Sequence, residues 1–508
     1  VPAFYPRPGR AAHSQLARRF PTVGGLAPYE RPTTMTAPRT LSLLLASLLL
    51  ASACSDGGPP RARPVARVLV VGFDGLEWSV VRPLLAEGRL PNLQALMERG
   101  SFGYLNSMTP TLSPVVWTTI ATGKLMEEHR ILDFIDRRTG QVYTSSRRKG
   151  RALWNIADQY GLSTNLIGWF VTWPAEELRG LVVSGSSASA QADANWKPAL
   201  LPGVPGQVWP VELTDEVMAL AESAGGLGNV QRIARDKVFG VLPEGSMDSA
   251  QRVTLQQTLW SLLSDETYFQ LARRYLAERP ADLNMVYFGG TDVIAHRYWR
   301  EFRPAGYAWQ DGEELDRALS AAVPGYYVWA DEMLGELLAA AGPGTTVLVL
   351  SDHGMHSVAQ DKPHPSGYTG HHQDAPAGVV VAAGPGIHRQ GGLVAFLKNG
   401  ALPTHGSVAG VAPTLLALLG IPVGKDMAAR AIITLLEPGP ARDNAALPPV
   451  ESHDLGFREP TEDEMPAEMS DNFKQRFGQL GYLELAPHEG QSQIVAPPPA
   501  PAGTGPGG

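Results

Sequence analysis

Six short apolar runs rich in Val, Ile and Leu punctuate the middle of this chain: RVLVVGFDG from Arg67, STNLIGWF, GLVVSG, LNMVYFGGTD from Leu283, TTVLVLSDHG from Thr345, and AGVVVAAGPG. The apolar residues are continuous, the pattern of strands buried on both faces. Between them the spacing turns helical in LPNLQALMERG, SPVVWTTIATG, GYYVWADEMLGELLAAAG and VAPTLLALLG. The first closes on Gly100, and Pro114 suits the opening turn of the second. Strands alternating with helices predict an α/β fold with a largely parallel central sheet and helices on both faces. In such sheets sites form at the carboxyl ends of the strands. Three runs end in FDG, GTD and SDHG, which puts Asp74, Asp292 and Asp352 at one rim.

Two stretches interrupt this alternation. Residues from about 186 to 280 hold helical segments, among them DEVMALAESAG and TYFQLARRYLAERP, and read as a mainly helical insertion. The tail 437–508 is rich in Pro, Ala and acid. It is expected to wrap the surface or stay disordered, with NFKQRFGQLGYLEL offering a short docking helix and 496–508 expected to be disordered. No internal repeat is visible.

The amino-terminal region follows another logic. From Met35 the chain reads MTAPRTLSLLLASLLLASACSDGG. Arg39 supplies a positive start, and Leu41 to Leu50 is an apolar run too short to span a bilayer as a mature helix. Small residues then lead to Cys54, the single cysteine of the chain. The segment resembles a bacterial lipoprotein signal cleaved before Cys54, with lipid on its sulfur; Ala51 stands where Leu is usual. Residues 1–53 are therefore expected to be a signal region behind a mis-called start, 54–66 a Pro/Arg-rich tether, and 67–436 the main domain. The resemblance implies a lipid-anchored, exported protein of the bacterial envelope, periplasmic or on the outer surface.

One cysteine excludes internal disulfides and a Cys-rich zinc site, so any metal must be held by His, Asp and Glu. Beyond residue 53 the chain has 36 basic against 49 acidic residues. That balance argues against nucleic-acid binding, which needs basic surface. It leaves open a small anionic substrate held by metals.

Candidate ligands cluster at the predicted rim. Asp292 and His296 lie four apart in DVIAH, a spacing that aims a carboxylate and an imidazole at one point just after a strand. Asp352 and His353 are adjacent in a turn, Asp74 ends the first strand, and GYTGHHQDAP offers His371 and His372. Mixed carboxylate and imidazole ligands suit zinc. Taken singly, an Asp after a strand is often a helix cap and a His is often a surface or core residue. Upstream, TPTLSPVVWTTIATGK carries six hydroxyl side chains, any of which would need activation to act as a nucleophile.

In order, these pieces resemble the alkaline phosphatase superfamily, and within it the type I phosphodiesterase and nucleotide pyrophosphatase branch. The shared pattern is a strand ending in Asp74, Ser113 followed nine residues later by Thr122 and Gly123, Asp292 with His296, Asp352 with His353, and His372 before Gly384 and Pro385. The resemblance covers roughly Arg67 to Arg430 outside the insertion, and it implies an alkaline-phosphatase-like fold. It selects Ser113 as nucleophile and implies two zinc ions, or another divalent metal. One would be held by Asp292, His296 and His372, the other by Asp74, Asp352, His353 and the Ser113 oxygen. His371 and His405 are rival late ligands, and Thr111, Thr118 and Thr119 would be caps or helix-face residues. His356 and His364 are expected in loops near the site.

The implied chemistry is hydrolysis of a small phosphate ester through a phosphoserine, with backbone N–H groups of the helix opening after Ser113 aimed at the phosphoryl oxygens. The pattern departs in places. Sulfatases of the superfamily carry Pro two and Arg four residues after the nucleophile; Val115 and Trp117 stand there. Val116 replaces an Asn common in nucleotide pyrophosphatases. Lys124 and Arg130 are candidates to neutralise the second charge of a monoester. A phosphodiesterase is thus the first expectation. A phosphomonoesterase or a transferase of phospho-headgroups is the alternative, and a non-catalytic envelope binding protein is the rival of another class.

Overall fold

A computed structural model describes residues 62–185, 199–243, 245, 247–305, 307–308, 313–357, 369–398, 400–457, 461, 463–478 and 493–494. Cys54, the signal region, His364, QLGYLEL (479–485) and 496–508 lie outside the described residues. Among the described residues no helix is long and apolar enough to cross a membrane.

Nine strands make the central sheet: β1 (Val68–Phe73), β2 (Gly100–Asn106), β3 (Thr164–Ile167), β4 (Gly180–Val183), β5 (Val208–Trp209), β6 (Leu283–Phe288), β7 (Thr346–Leu350), β8 (Gly378–Ala383) and β9 (Thr404–Ser407). Their order is β9-β2-β8-β7-β1-β6-β3-β4-β5. β1 lies between β7 and β6 and runs parallel to both. Gly72 faces Leu350 and Phe73 faces Phe288, so the three strands end level. The β6–β3, β3–β4 and β9–β2 pairs are parallel as well.

Three pairings break the parallel pattern: β8 is antiparallel to β7 and β2, and β5 to β4. A parallel return needs a long crossover, usually a helix. Between β7 and β8 the described residues form no helix, only a two-residue ribbon that pairs His356–Ser357 with Gly370–His371. An apolar run alone does not carry strand direction.

Alternate residues of the central strands enter two cores. Leu69, Val71 and Phe73 join one and Val68 and Val70 the other, and β7 and β8 divide in the same way. Helices α1 (Trp78–Ala86) and α2 (Pro91–Arg99) pack in the first core. Helix α3 (Ser113–Thr122) is buried along its whole length in the second.

Residues 199–280 carry β5 and the helices α4 (Thr214–Ala224), α5 (Leu227–Ile233) and α6 (Ser249–Glu278). The Asp248 side chain accepts the Gln251 N–H and the Gln251 side chain accepts the Asp248 N–H, a reciprocal cap that starts α6. Leu262, Phe269 and Tyr275 of α6 enter the same core as α7 (Gly290–Phe302) and α8 (Ala322–Ala341). α9 (Val411–Leu418) backs the opposite face. The tail contributes a helix, Ala467–Gly478, whose Met469 and Phe473 are buried in the second core.

Candidate metal centre

The level ends of β1, β6 and β7 deliver three carboxylates to one place. Asp74 follows Phe73 directly, and its N–H donates to Phe288 O. The chain then turns at Gly75, with φ of +64°; a Cβ there would lie 3.2 Å from the Asp292 side chain. Only glycine meets both demands cheaply. Asp292 sits in the first turn of α7, whose opening amides are capped from another helix: Gly289 and Gly290 N–H donate to the Asp265 carboxylate at 3.1 and 3.0 Å. One turn later His296 Nε2 lies 3.3 Å from Asp292 Oδ1. Asp352 and His353 follow β7, and Asp352 Oδ1 accepts the Gly75 N–H at 3.2 Å.

Each histidine is oriented by its other ring nitrogen. His296 Nδ1 is 2.8 Å from Gly370 O, and His353 Nδ1 is 2.9 Å from Gly354 O. A carbonyl can only accept, so both Nδ1 atoms carry a proton, and Nε2 is the atom each ring can offer to a cation. His353 Nε2 then stands 3.3 Å from Asp74 Oδ1 and 3.3 Å from Asp352 Oδ2. The His372 ring stacks on His353 with centroids 4.2 Å apart. His372 is tied down by Thr111, whose hydroxyl donates to His372 O at 2.9 Å and lies 3.3 Å from His372 Nδ1.

Ligand atoms of Asp292, His296 and His372 lie within 4.8 Å of one another, and so do those of Asp74, Asp292 and His353. Asp352 joins the second group through its contact with His353. The family resemblance implies Asp292 in the first group alone. The turn at Gly75 brings Asp74 against it, so Asp292 stands between both.

All these side chains are buried, and the charge balance is poor. Burial, reinforced by the neighbouring carboxylates, pushes Asp74 above the ordinary carboxylate range and Asp352 well above it. Burial, then the His353 and His296 rings, holds His372 well below the ordinary imidazole range. Asp74 Oδ1, Asp352 Oδ2 and His353 Nε2 are buried with no hydrogen-bond partner. Acceptor atoms converging without donors in a dry site are costly unless a cation holds them. A donor set of imidazole and carboxylate fits a divalent ion of the zinc type.

Ser113 opens α3 and is buried. The loop before it and the helix itself are each pinned: Thr111 binds His372, and the Trp117 indole N–H donates to Asp74 Oδ2 at 3.1 Å. The expected fan of backbone donors is smaller than the sequence implied. Pro114 has no N–H, and the Val115 and Val116 amides donate to Leu112 O at 2.9 and 3.0 Å. The Ser113 amide remains. Thr118, Thr119 and Thr122 are structural: Thr118 bonds Pro114 O, Thr122 bonds Thr118 O, and Thr119 meets His129 Nε2 at 3.1 Å.

The rival candidates fall elsewhere. His405 lies on edge strand β9, where Nδ1 meets Thr434 Oγ1 and Nε2 meets Phe102 O and Gln390 Oε1. His371 accepts the Gln373 N–H on Nδ1 and is in neither group; burial holds its pKa at about 4. Its ring centroid is 6.3 Å from that of His356, across the ribbon. Lys124 is held by Asp426 at 2.8 Å and by Asp454. Val116 is fully buried and joins the second core.

Sequence reasoning missed the supports. Thr111 was read as a cap or helix-face residue, and Tyr287, Asp265 and Glu77 were not singled out. Buried Glu77 caps α1 through the Ser79 N–H at 2.9 Å and accepts the Met355 N–H at 3.2 Å, tying the loop after β1 to the loop after β7. For Tyr287 the available signal was a phenol near the end of a mostly apolar strand, five residues before Asp292.

Against known proteins, a family model described as type I phosphodiesterase / nucleotide pyrophosphatase matches residues 68–388. The chain belongs to this family. It is a metal-dependent family of the alkaline phosphatase superfamily. Ectonucleotide pyrophosphatase/phosphodiesterase family member 7 of Rattus norvegicus is 29% identical over 91 residues, 18% of this chain and 20% of the rat protein. The chain thus matches a fifth of that relative's length. Among solved structures, phosphonoacetate hydrolase of Sinorhizobium meliloti with phosphonoformate is 17% identical, covering 58% of each chain at a TM-score of 0.36. Murine ectonucleotide pyrophosphatase/phosphodiesterase 5 with AMP is 13% identical, covering 70% of this chain and 95% of the mouse chain at a TM-score of 0.36.

Proposed function

We propose that this member of the type I phosphodiesterase family hydrolyses phosphoric diesters, with Ser113 as nucleophile and two divalent ions, zinc by preference. The observation that supports this most is a pair of buried Asp/His groups sharing Asp292, one bonded to the Ser113 helix through Trp117 and the other to the loop before it through Thr111. Asp292, His296 and His372 would hold one ion, and Asp74, Asp352 and His353 the other. Bound there, such ions lower the pKa of a hydroxyl and offset charge on attacking and leaving oxygens.

The chain's own part is positional. Ser113 Oγ attacks phosphorus, the ester oxygen leaves with its electron pair, and a phosphoserine forms. Water then attacks that phosphorus and restores the hydroxyl. Thr111 and Trp117 keep the helix from drifting relative to the ligands. The Ser113 amide would donate to a phosphoryl oxygen.

A diester fits better than a monoester because, of the two candidates for the extra charge, Lys124 is already committed to two carboxylates and Arg130 is exposed. Rates on a p-nitrophenyl monoester and the matching diester, for the zinc-loaded protein and for Ser113→Ala, test the reading. A faster diester rate abolished by the substitution supports it. A faster monoester rate, equally abolished, moves the class to phosphatase. Turnover surviving in Ser113→Ala removes the serine mechanism. We also infer from residues 35–54 that the protein is lipid-anchored in a bacterial envelope. Cys54→Ala is then expected in the soluble fraction, and its staying with the membrane would contradict the anchor.

A further inference from the structure

We propose that Trp117 and Tyr287 are positioning residues that leave Asp74 a single oxygen for its ion, and that Trp117 thereby fixes the nucleophile's helix to that ion's ligand. The inference rests on the two-ion reading above and deepens it.

The argument begins with the two oxygens of Asp74. Oδ2 accepts from the Tyr287 hydroxyl at 2.6 Å and from the Trp117 indole at 3.1 Å. Both donors are buried, Trp117 completely. Hydrogen bonds to a carboxylate in so dry a place are among the stronger ones available to a protein. Two of them occupy the Oδ2 lone pairs. Oδ1 has no hydrogen-bond partner and faces His353 Nε2 at 3.3 Å. One oxygen is thus held by the protein, and the other is presented to the centre.

The holders are themselves fixed. The Trp117 ring meets Tyr287 edge-on at 5.1 Å and Trp169 at 5.0 Å. The Trp169 indole donates to Trp117 O at 3.3 Å. β1 makes room at Gly72, where a Cβ would lie 2.7 Å from the Trp117 ring. The indole therefore has one seat. Tyr287 stands on β6, one strand over from Asp74.

Trp117 also has a second relation to the site. It lies four residues after Ser113 in α3, on the same side of the helix. Its N–H reaches Asp74, so the serine and the ligand are registered to each other through one indole. The place four after the nucleophile, Arg in the sulfatases, here carries a residue that grips a ligand.

A purely structural role would be packing by the rings alone. Trp117→Phe and Tyr287→Phe keep a ring and remove the donor. Metal-free protein is titrated with Zn2+ against a chromophoric chelator, alongside kcat and KM on the p-nitrophenyl diester. The expected result is that one of two binding steps weakens by about 10–100-fold, the usual cost of losing an outer partner of a ligand. The other step stays near wild type. In Trp117→Phe kcat falls further than in Tyr287→Phe, with KM changed little in either.

Both steps unchanged in Tyr287→Phe, the milder substitution, would overturn the proposal. Both steps weakening together with a lower melting temperature of the metal-free protein would also overturn it, in favour of packing. The wild-type titration separates the two levels of inference. No binding by wild type removes the two-ion reading and the proposal with it; two steps in wild type that the variants leave intact remove the proposal alone.

Discussion

Asp74, Asp352 and His353 leave the sheet directly after paired parallel strands, whereas His372 reaches the same spot from the chain between a two-residue ribbon and β8. The strand-end ligands are placed by register: once β1, β6 and β7 pair, their carboxyl ends are level and the side chains have few other directions. His372 has no such frame. It is bonded by Thr111, which is far away in sequence and sits in the loop just before Ser113. Asp74, Asp352 and His353 are therefore placed by the fold, and His372 is tied by a side-chain bond to the loop before Ser113.

Asp292 belongs to both groups, and its loss should break the comparison outright. Asp292→Ala is expected to lose both ions and to lower turnover by more than about 100-fold, beyond the usual cost of losing an outer contact. Metal analysis beside the diester rate checks this; an ion retained at full occupancy in both places would show that Asp292 is not shared. Thr111→Val sharpens the contrast. It keeps the shape, removes the hydroxyl, and should weaken one ion by about 10–100-fold while leaving the other in place. Equal weakening of both ions would erase the distinction.

Behind α3 the support is uncharged. Burial, with Arg148 and Lys124 nearby, lowers the His129 pKa to about 3. The folded chain there binds fewer protons than the unfolded one, whose imidazole titrates near 6.5. The contribution to stability is full above about pH 6.5 and lost as the pH falls toward about 3. Between pH 7 and 4.5 wild type should lose about 2–3 kcal/mol more than His129→Gln in denaturant unfolding. Equal losses would mean that His129 is not held neutral.

The smallest effect concerns Lys124. Lys124→Met should cost about 1–3 kcal/mol of stability, because Asp426 and Asp454 lose their partner, and should leave the diester-to-monoester ratio within about twofold. A large shift in that ratio would return Lys124 to the phosphate pocket.

Much of the strand-end placement was legible in the sequence. Continuous apolar runs ending in Asp state both a buried strand and the rim at which it ends. The pair Asp292 and His296 was legible from helical spacing. His372 could be named, but its support could not, since the Thr111 bond joins segments remote in sequence. Strand direction at β8, the sharing of Asp292 and the use of the Val115 and Val116 amides by Leu112 depend on pairing, a turn at Gly75 and the missing N–H of Pro114. Of these only the last was written in the local sequence. The supports around Asp74 were hidden for another reason: Trp117 and Tyr287 read as core aromatics, and only their polar atoms show otherwise.

The most direct test of the two-ion serine hydrolase is a titration of the metal-free protein with Zn2+ while turnover of bis-p-nitrophenyl phosphate is followed. The account predicts that turnover is absent at first and reaches its plateau at two ions per chain. Turnover without added metal, or a plateau at one ion, would contradict it.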